Sequence, residues 1–297
     1  MGWRMILLHV GTEHAVAPLW AHWTADPSAL VGITLGTFLY TRGLLASNGS
    51  RRRLHPWWRP ALFYTGMALV ALALLSPLDA LSDELFAIHM VQHLLLILAV
   101  PPLILLSAPM IPTLRGIPRK LRRLIVAPIA QDPVTRWLLR TATLPLVAWL
   151  AYTASFFGWH TPGLYDAALR NESVHILEHL MFSATAFLFW WNIIDPIPMK
   201  GNLPYLGRVP YVFIMSVPNF ILGAFLVYAT SPWYEFYTSR ASRFSISPIG
   251  DQQLGGLIMW VPGAFVLLFT IIGVLAVMVV KEEQLQRERE IQAAVDP

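Results

Sequence analysis

The chain has 297 residues, 56% of them hydrophobic and only 13% charged, with a mean hydropathy of +0.56 and a formal net charge of +4. Soluble globular chains carry about 25% charged residues, so a freely soluble domain is excluded and lipid is the expected solvent. Cysteine is absent, which removes disulfides, thiolate zinc sites, iron–sulfur clusters and Cys-x-x-Cys chemistry; a metal would have to use the nine histidines, the ten methionines or carboxylates.

Taken in chain order, residues 1–27 read as an outer interfacial arm, with Trp3, Trp20 and Trp23 suited to the headgroup layer. Its apolar run Met5–Val10 is too short for a signal sequence or a membrane span. Seven stretches long enough to cross about 30 Å of hydrocarbon follow, near residues 28–46, 60–76, 85–109, 138–157, 174–194, 209–230 and 254–280. The predicted fold class is therefore all-α, a polytopic bundle of seven transmembrane helices forming a membrane domain over residues 28–280. Pro101-Pro102, Pro145, Pro218 and Pro262 should kink their helices. Residues 281–297 form a charged tail that continues the last helix into solvent. The Trp190-Trp191 pair, at the inner end of the fifth span, reads as an interfacial anchor.

Positive charge fixes the expected orientation. Arg42, the Arg51–Arg53 run and Arg59, the basic stretch from Arg115 to Arg140, Lys200, Arg208, Lys281, Arg287 and Arg289 all fall on one side. Seventeen of the 21 Lys and Arg residues lie there, against Arg4, Arg170, Arg240 and Arg243 on the other. The N-terminus is thus expected outside and the C-terminus in the cytoplasm. Arg115–Arg123 reads as a loop against anionic lipid, and no nucleic-acid partner is expected. The acidic residues divide the opposite way, leaving the inner face at +10 and the outer face at −6. The outer face can attract cations.

Eight of the nine histidines belong to that acidic face: His9, His14 and His22 in the arm, His89 and His93, His160, and His175 and His179. Only His55 falls on the inner side, as a loop residue. The sharpest feature is a matched pair of heptapeptides, His89-Met-Val-Gln-His93-Leu-Leu and His175-Ile-Leu-Glu-His179-Leu-Met. Residues four apart stack on one helix face about 6 Å apart along the axis. If the two helices are neighbours, four imidazoles converge, with Met90, Gln92, Glu178 and Met181 on adjacent faces. Imidazole suits copper, zinc and haem iron, and a thioether tilts the choice towards Cu(I).

A single pair is equally well explained by interfacial hydrogen bonds. Two matched pairs favour metal or haem ligation, because polar groups are costly in lipid. His160 is a weaker candidate ligand, and the arm histidines weaker still. His175-x-x-Glu178-His179 also matches the inverted zinc-peptidase pattern, but the span-three copy has Gln92 in place of the glutamate. Asp251 opens the last span as an N-cap or first-turn anion, and Gln252 and Gln253 are placed to support the histidines from behind. Gly255 and Gly256 allow another helix to approach closely.

These stretches together resemble the multi-span CtaG-type cytochrome c oxidase assembly factors. The resemblance rests on His89-Met90-Val91-Gln92-His93 with Pro101-Pro102 and Pro109, His175-x-x-Glu178-His179 with Phe189-Trp190-Trp191, and Asp251-Gln252-Gln253-x-Gly255-Gly256-x-Ile258-Met259-Trp260. It runs over roughly residues 60–280 and does not cover the N-terminal arm. It implies a multi-pass protein of the bacterial plasma membrane, not an enzyme, that helps assemble haem–copper oxidase. The expectation is a copper ion bound near the outer face by His89, His93, His175 and His179, with His160 as a further ligand. Met90, Glu178, Asp251 and Gln252 are auxiliary, and the ion passes from an outer copper donor to oxidase subunits in the membrane. The alternatives are a b-type cytochrome, with haem held by one histidine of each pair, and a scaffold whose histidines bind nothing.

Overall fold

A computed structural model describes residues 23–46, 55–199 and 201–295. The arm histidines His9, His14 and His22 lie outside these residues, as does most of the 1–27 arm. Among the described residues the chain is all-helical. The main helices are α1 (Pro27–Leu45), α2 (Trp58–Leu75), α3 (Pro77–Ser82), α4 (Phe86–Leu106), α5 (Met110–Gly116) and α6 (Pro133–Ala142). They continue with α7 (Pro145–Trp159), α8 (Pro162–Arg170), α9 (Glu172–Ile194), α10 (Tyr205–Val227), α11 (Glu235–Thr238) and α12 (Pro248–Val295).

Five of these, α1, α2, α4, α10 and α12, are long and apolar enough to cross a membrane. The other two expected spans differ in instructive ways. Helix α9 has the length, 23 residues, but Glu172, His175, Glu178, His179 and Asn192 dilute its apolar character. Helix α7 has only 15 residues, and the expected span over 138–157 is broken. Residues 138–142 belong to α6, an amphipathic helix capped by Asp132, whose carboxylate accepts from Thr135 N at 2.7 Å. The break falls at Leu144, held extended at ψ 134° because the Pro145 ring clashes with an α-region residue before it.

Helix α4 runs through the centre, packed by α7, α9, α10 and α12 through Ile97, Leu98, Tyr152, Phe156, Phe182, Phe189 and Met215. A smaller cluster, Tyr40, Phe63, Val100 and Ile104, ties α1 and α2 to its second half. There Tyr40 stacks on Phe63 with ring centroids 3.7 Å apart, and its hydroxyl bonds His55 Nε2 at 2.7 Å. Burial, then Arg59 and Arg115, hold the His55 imidazole below its ordinary pKa. The outward faces carry Leu146, Leu180, Phe213, Phe225 and Phe269, the pattern of helices solvated by lipid.

Pro101 shows how sequence shapes α4. Proline lacks an N–H and crowds the carbonyl four residues back, which here is Ile97. The helix widens to a π-helical turn over Leu95–Ala99, and Trp190 Nε1 donates to the stranded Ile97 oxygen at 2.9 Å. Trp190 is therefore a buried partner of the proline break, not the interfacial anchor expected from the sequence. Such cross-helix repair is how proline is tolerated in apolar surroundings.

Helix α12 meets its neighbours at two adjacent glycines. A Cβ on Gly255 would lie 2.3 Å from Phe86 Cδ1, and one on Gly256 would lie 2.7 Å from Leu226 Cβ and 3.0 Å from the Gly223 oxygen. The expected close helix approach is present on both sides of α12. The charged tail continues the same helix through residue 295.

Candidate metal centre

His89 and His93 stand on the first turns of α4, His175, Glu178 and His179 on the first turns of α9, and His160 caps α7. The starts of α4 and α9 are set by different caps. Asn171 caps α9 conventionally, accepting from Ser173 N and Val174 N. Helix α4 has no cap of its own. The Asp251 carboxylate, from α12, accepts from Phe86 N at 2.7 Å and Ala87 N at 3.1 Å. Asp251 was expected at the start of α12 as an N-cap or first-turn anion, and it lies in the first turn. Ser247 caps α12, its Oγ accepting from Gly250 N, while Asp251 and Gly255 together dock the histidine-bearing end of α4.

The six side chains converge. Ring centroids lie 4.3 Å apart for His89–His93 and His175–His179, 5.3 Å for His89–His175 and His93–His179, and 6.1 Å for His93–His160. Ligating atoms of His89, His175 and His179 lie within 4.8 Å of one another, as do those of His89, His93 and Glu178. His89, His93, His160 and Glu178 are buried; His175 and His179 are half-buried.

A chain of hydrogen bonds sets the tautomers. Tyr237 Oη donates to the Ser82 carbonyl at 2.7 Å, so it can only accept from His89 Nδ1 at 3.0 Å. Burial holds the Tyr237 phenol well above its ordinary pKa, which keeps that proton in place. His89 Nε2 is then a bare acceptor, and His93 Nε2 donates to it across 2.8 Å. His93 Nδ1 is left with a lone pair and no partner. His160 Nδ1 donates to the Phe156 oxygen at 2.7 Å, which leaves its Nε2 bare and likewise unpartnered. His175 Nε2, His179 Nε2 and both oxygens of Glu178 are also buried without hydrogen bonds, the nearest approach being Glu178 Oε1 to His93 Nε2 at 3.9 Å.

Each unsatisfied buried polar group costs about 1–3 kcal/mol, and a charged one more. A cluster of them needs a compensating partner, and a cation fits the donors present. Imidazole nitrogens with one carboxylate are ligands for borderline transition metals. Two nitrogens on one tetrahedral ion stand about 3.3 Å apart at metal–nitrogen distances near 2.0–2.1 Å. The 2.8 Å His89–His93 contact would open by roughly half an ångström to share an ion.

The auxiliary residues are distributed differently from the sequence expectation. Gln252 and Gln253 turn away from the histidines: Gln252 Oε1 accepts from Trp233 N at 2.6 Å, and Gln253 Nε2 donates to the Ala229 oxygen. They hold the connection between α10 and α11. Gln92 donates to the Ala73 oxygen and to Asp79 Oδ1, anchoring α2 and α3. Met181 is exposed, whereas Met90 is fully buried beside the cluster. Three tyrosines went unseen in the sequence. Tyr237 orients His89, Tyr234 Oη donates to the His160 oxygen at 3.0 Å, and Tyr165 packs between Tyr234 and His89. Their signal was the Tyr234-x-x-Tyr237 spacing in a connection on the histidine side, but nothing local tied it to α4.

The model of one protein family, described as cytochrome c oxidase caa3 assembly factor, matches residues 38–281. Uncharacterized proteins of Mycobacterium bovis and Mycobacterium tuberculosis are each 30% identical over 223 residues, 71% of this chain and 32% of theirs. One from Mycobacterium leprae is 26% identical over 232 residues, 74% of this chain and 34% of its own. The chain thus spans about a third of the length of these relatives. No solved structure matches the chain. The family match takes in α4, α7 and α9, which carry the six converging side chains, and the start of α12, which caps α4, and the chain belongs to the cytochrome c oxidase caa3 assembly factor family.

Proposed function

We propose that the chain is a copper carrier of the bacterial plasma membrane that serves assembly of a haem–copper oxidase. In this reading copper is cargo, held by His89, His93, His175 and His179, with His160 and Glu178 completing the set. It is received from a donor on the outer side and released to an oxidase subunit, with no catalytic turnover. The observation that carries the reading is that His89 shares one group of possible ligand atoms with His175 and His179 and another with His93 and Glu178, each within 4.8 Å, while ring nitrogens of His93, His160, His175 and His179 and both Glu178 oxygens are buried without hydrogen bonds. A shell that mixes imidazole and carboxylate can exchange ligands with a partner one at a time, as a carrier must.

The topology follows from the charge distribution. Helices α7 and α9 join the five apolar helices as spans, giving seven, with the polar face of α9 turned to the cluster instead of lipid. The Lys and Arg asymmetry puts the histidine end outside.

The test is metal analysis of the full chain purified in detergent and exposed to Cu(II) without reductant, beside a His175→Ala/His179→Ala variant. The wild type is expected to retain copper that the variant does not. Retention equal in both, or a Soret band on the purified wild type, would overturn the reading.

A further inference from the structure

A cavity of about 20 Å3 beside the histidine cluster is lined by Met90, Met215 and Met259, by His93, His160 and Asn219, and by six leucine, isoleucine, tyrosine and phenylalanine side chains. All three methionines are buried, at 0%, 2% and 3% exposure. They come from three helices, α4, α10 and α12. His93 is a wall common to the cluster and the cavity: its Nε2 meets His89, while its unpartnered Nδ1 lies on the opposite side of the ring. His160 lines the cavity too, with Nε2 bare. A core packed only for stability fills such a gap with branched apolar side chains and keeps polar atoms satisfied. Here the gap persists, and two of the residues around it, His93 and His160, each keep a buried ring nitrogen without a partner.

We propose that this cavity is a second metal site, selective for monovalent copper, whose ligands come from Met90, Met215, Met259, His93 and His160. The proposal rests on the copper-carrier reading of the histidine cluster and adds a second station to it. Thioether sulfur is a soft donor that holds Cu(I) and binds Zn(II) and Cu(II) poorly, whereas the imidazole–carboxylate cluster accepts all three. The paired sites therefore sort by softness. An ion passes His93 by exchanging cluster nitrogens for cavity sulfur, remaining Cu(I) throughout, so no electron donor or acceptor is needed. With both sites filled, His93 through Nδ1 and His160 through Nε2 serve the cavity, and the cluster keeps His89, His175, His179 and Glu178; His175 and His179 do not line the cavity, so the two sets can be broken separately.

The full chain in detergent is titrated with Cu(I) under reductant against a chromogenic Cu(I) chelator, and separately with Zn(II). The wild type is expected to take two equivalents of Cu(I) and one of Zn(II). Met215→Leu/Met259→Leu should weaken one Cu(I) equivalent at least tenfold and keep the Zn(II) equivalent, which also reports that the variant is folded. His175→Ala/His179→Ala should lose the Zn(II) equivalent and retain the sulfur-bound Cu(I). Selenomethionine-labelled wild-type protein needs no substitution at all: with two Cu(I) bound, X-ray absorption should show a copper–selenium path. A single Cu(I) equivalent, or no such path, overturns the second site while leaving the cluster intact. Zn(II) binding indifferent to the histidine substitutions overturns the carrier reading instead.

Discussion

Helix α9 carries a buried polar group at each end, and the two ends are built on opposite principles. Past its C-terminus, Arg208 is almost fully buried, and every part of its guanidinium is used. Nη1 donates to the Ile193 oxygen at 2.7 Å, Nε and Nη2 donate to the Leu203 oxygen, and Nη2 pairs with Asp195. Asp195 in turn accepts from Gly201 N at 2.8 Å. At the N-terminal end, His175, His179, Glu178, His93 and His160 all keep buried atoms without partners. Satisfied polar groups stabilise a fold, and unsatisfied ones burden it unless a ligand relieves them. The arginine end is satisfied within the fold; on the copper-carrier reading, the histidine end is completed by its cargo.

The largest effect should come from breaking the arginine end. Arg208→Met leaves Asp195 and two carbonyls without their donor, and removing one partner of a buried pair costs about 3–5 kcal/mol. The melting temperature in detergent should fall steeply, while the folded fraction still binds copper as wild type does. At the histidine end the signs should reverse. His175→Leu/His179→Leu removes unpaired polar atoms, so the metal-free protein should melt at the same temperature or higher. Its Cu(II) affinity should drop at least about a hundredfold, close to 3 kcal/mol. A metal-free variant destabilised as strongly as Arg208→Met would erase the distinction between the ends.

Two smaller effects sharpen it. Asp251→Asn gives up a charge-assisted cap on α4, worth about 1–2 kcal/mol. Because that cap places His89 and His93, denaturant titration should show lost stability and copper titration a weaker affinity, both restored by Asp251→Glu only if the longer arm can reach Phe86 N. Trp190→Phe leaves the Ile97 oxygen unpaired at the proline break and should cost about 1 kcal/mol, with copper binding unchanged. A copper defect in Trp190→Phe would mean that the π-helical turn positions the ligands as well as the fold.

These examples also show what the sequence could disclose. The two His-x-x-x-His pairs were legible because helical periodicity alone puts such residues on one face, and their matched depth made convergence a natural expectation. Gly255 and Gly256 were legible as close-approach points for the same local reason. Asp251 was legible as a first-turn anion of α12, but local register could not show that its carboxylate bonds amides 165 and 164 positions away. Trp190 reads as an interfacial anchor until Pro101 is seen to strand the oxygen that it serves. Tyr237, which sets the tautomer of His89 from 148 positions away, has no local signature. Apolar pattern and pair spacing are short-range signals; the groups that aim the histidines act across helices.

The most direct test of the central claim is X-ray absorption at the copper edge on the full chain loaded with a single equivalent of Cu(II). The account predicts a nitrogen-dominated imidazole shell in the wild type that is lost in His175→Leu/His179→Leu. A wild-type protein that binds no copper, or a shell that survives the loss of both histidines unchanged, would contradict it.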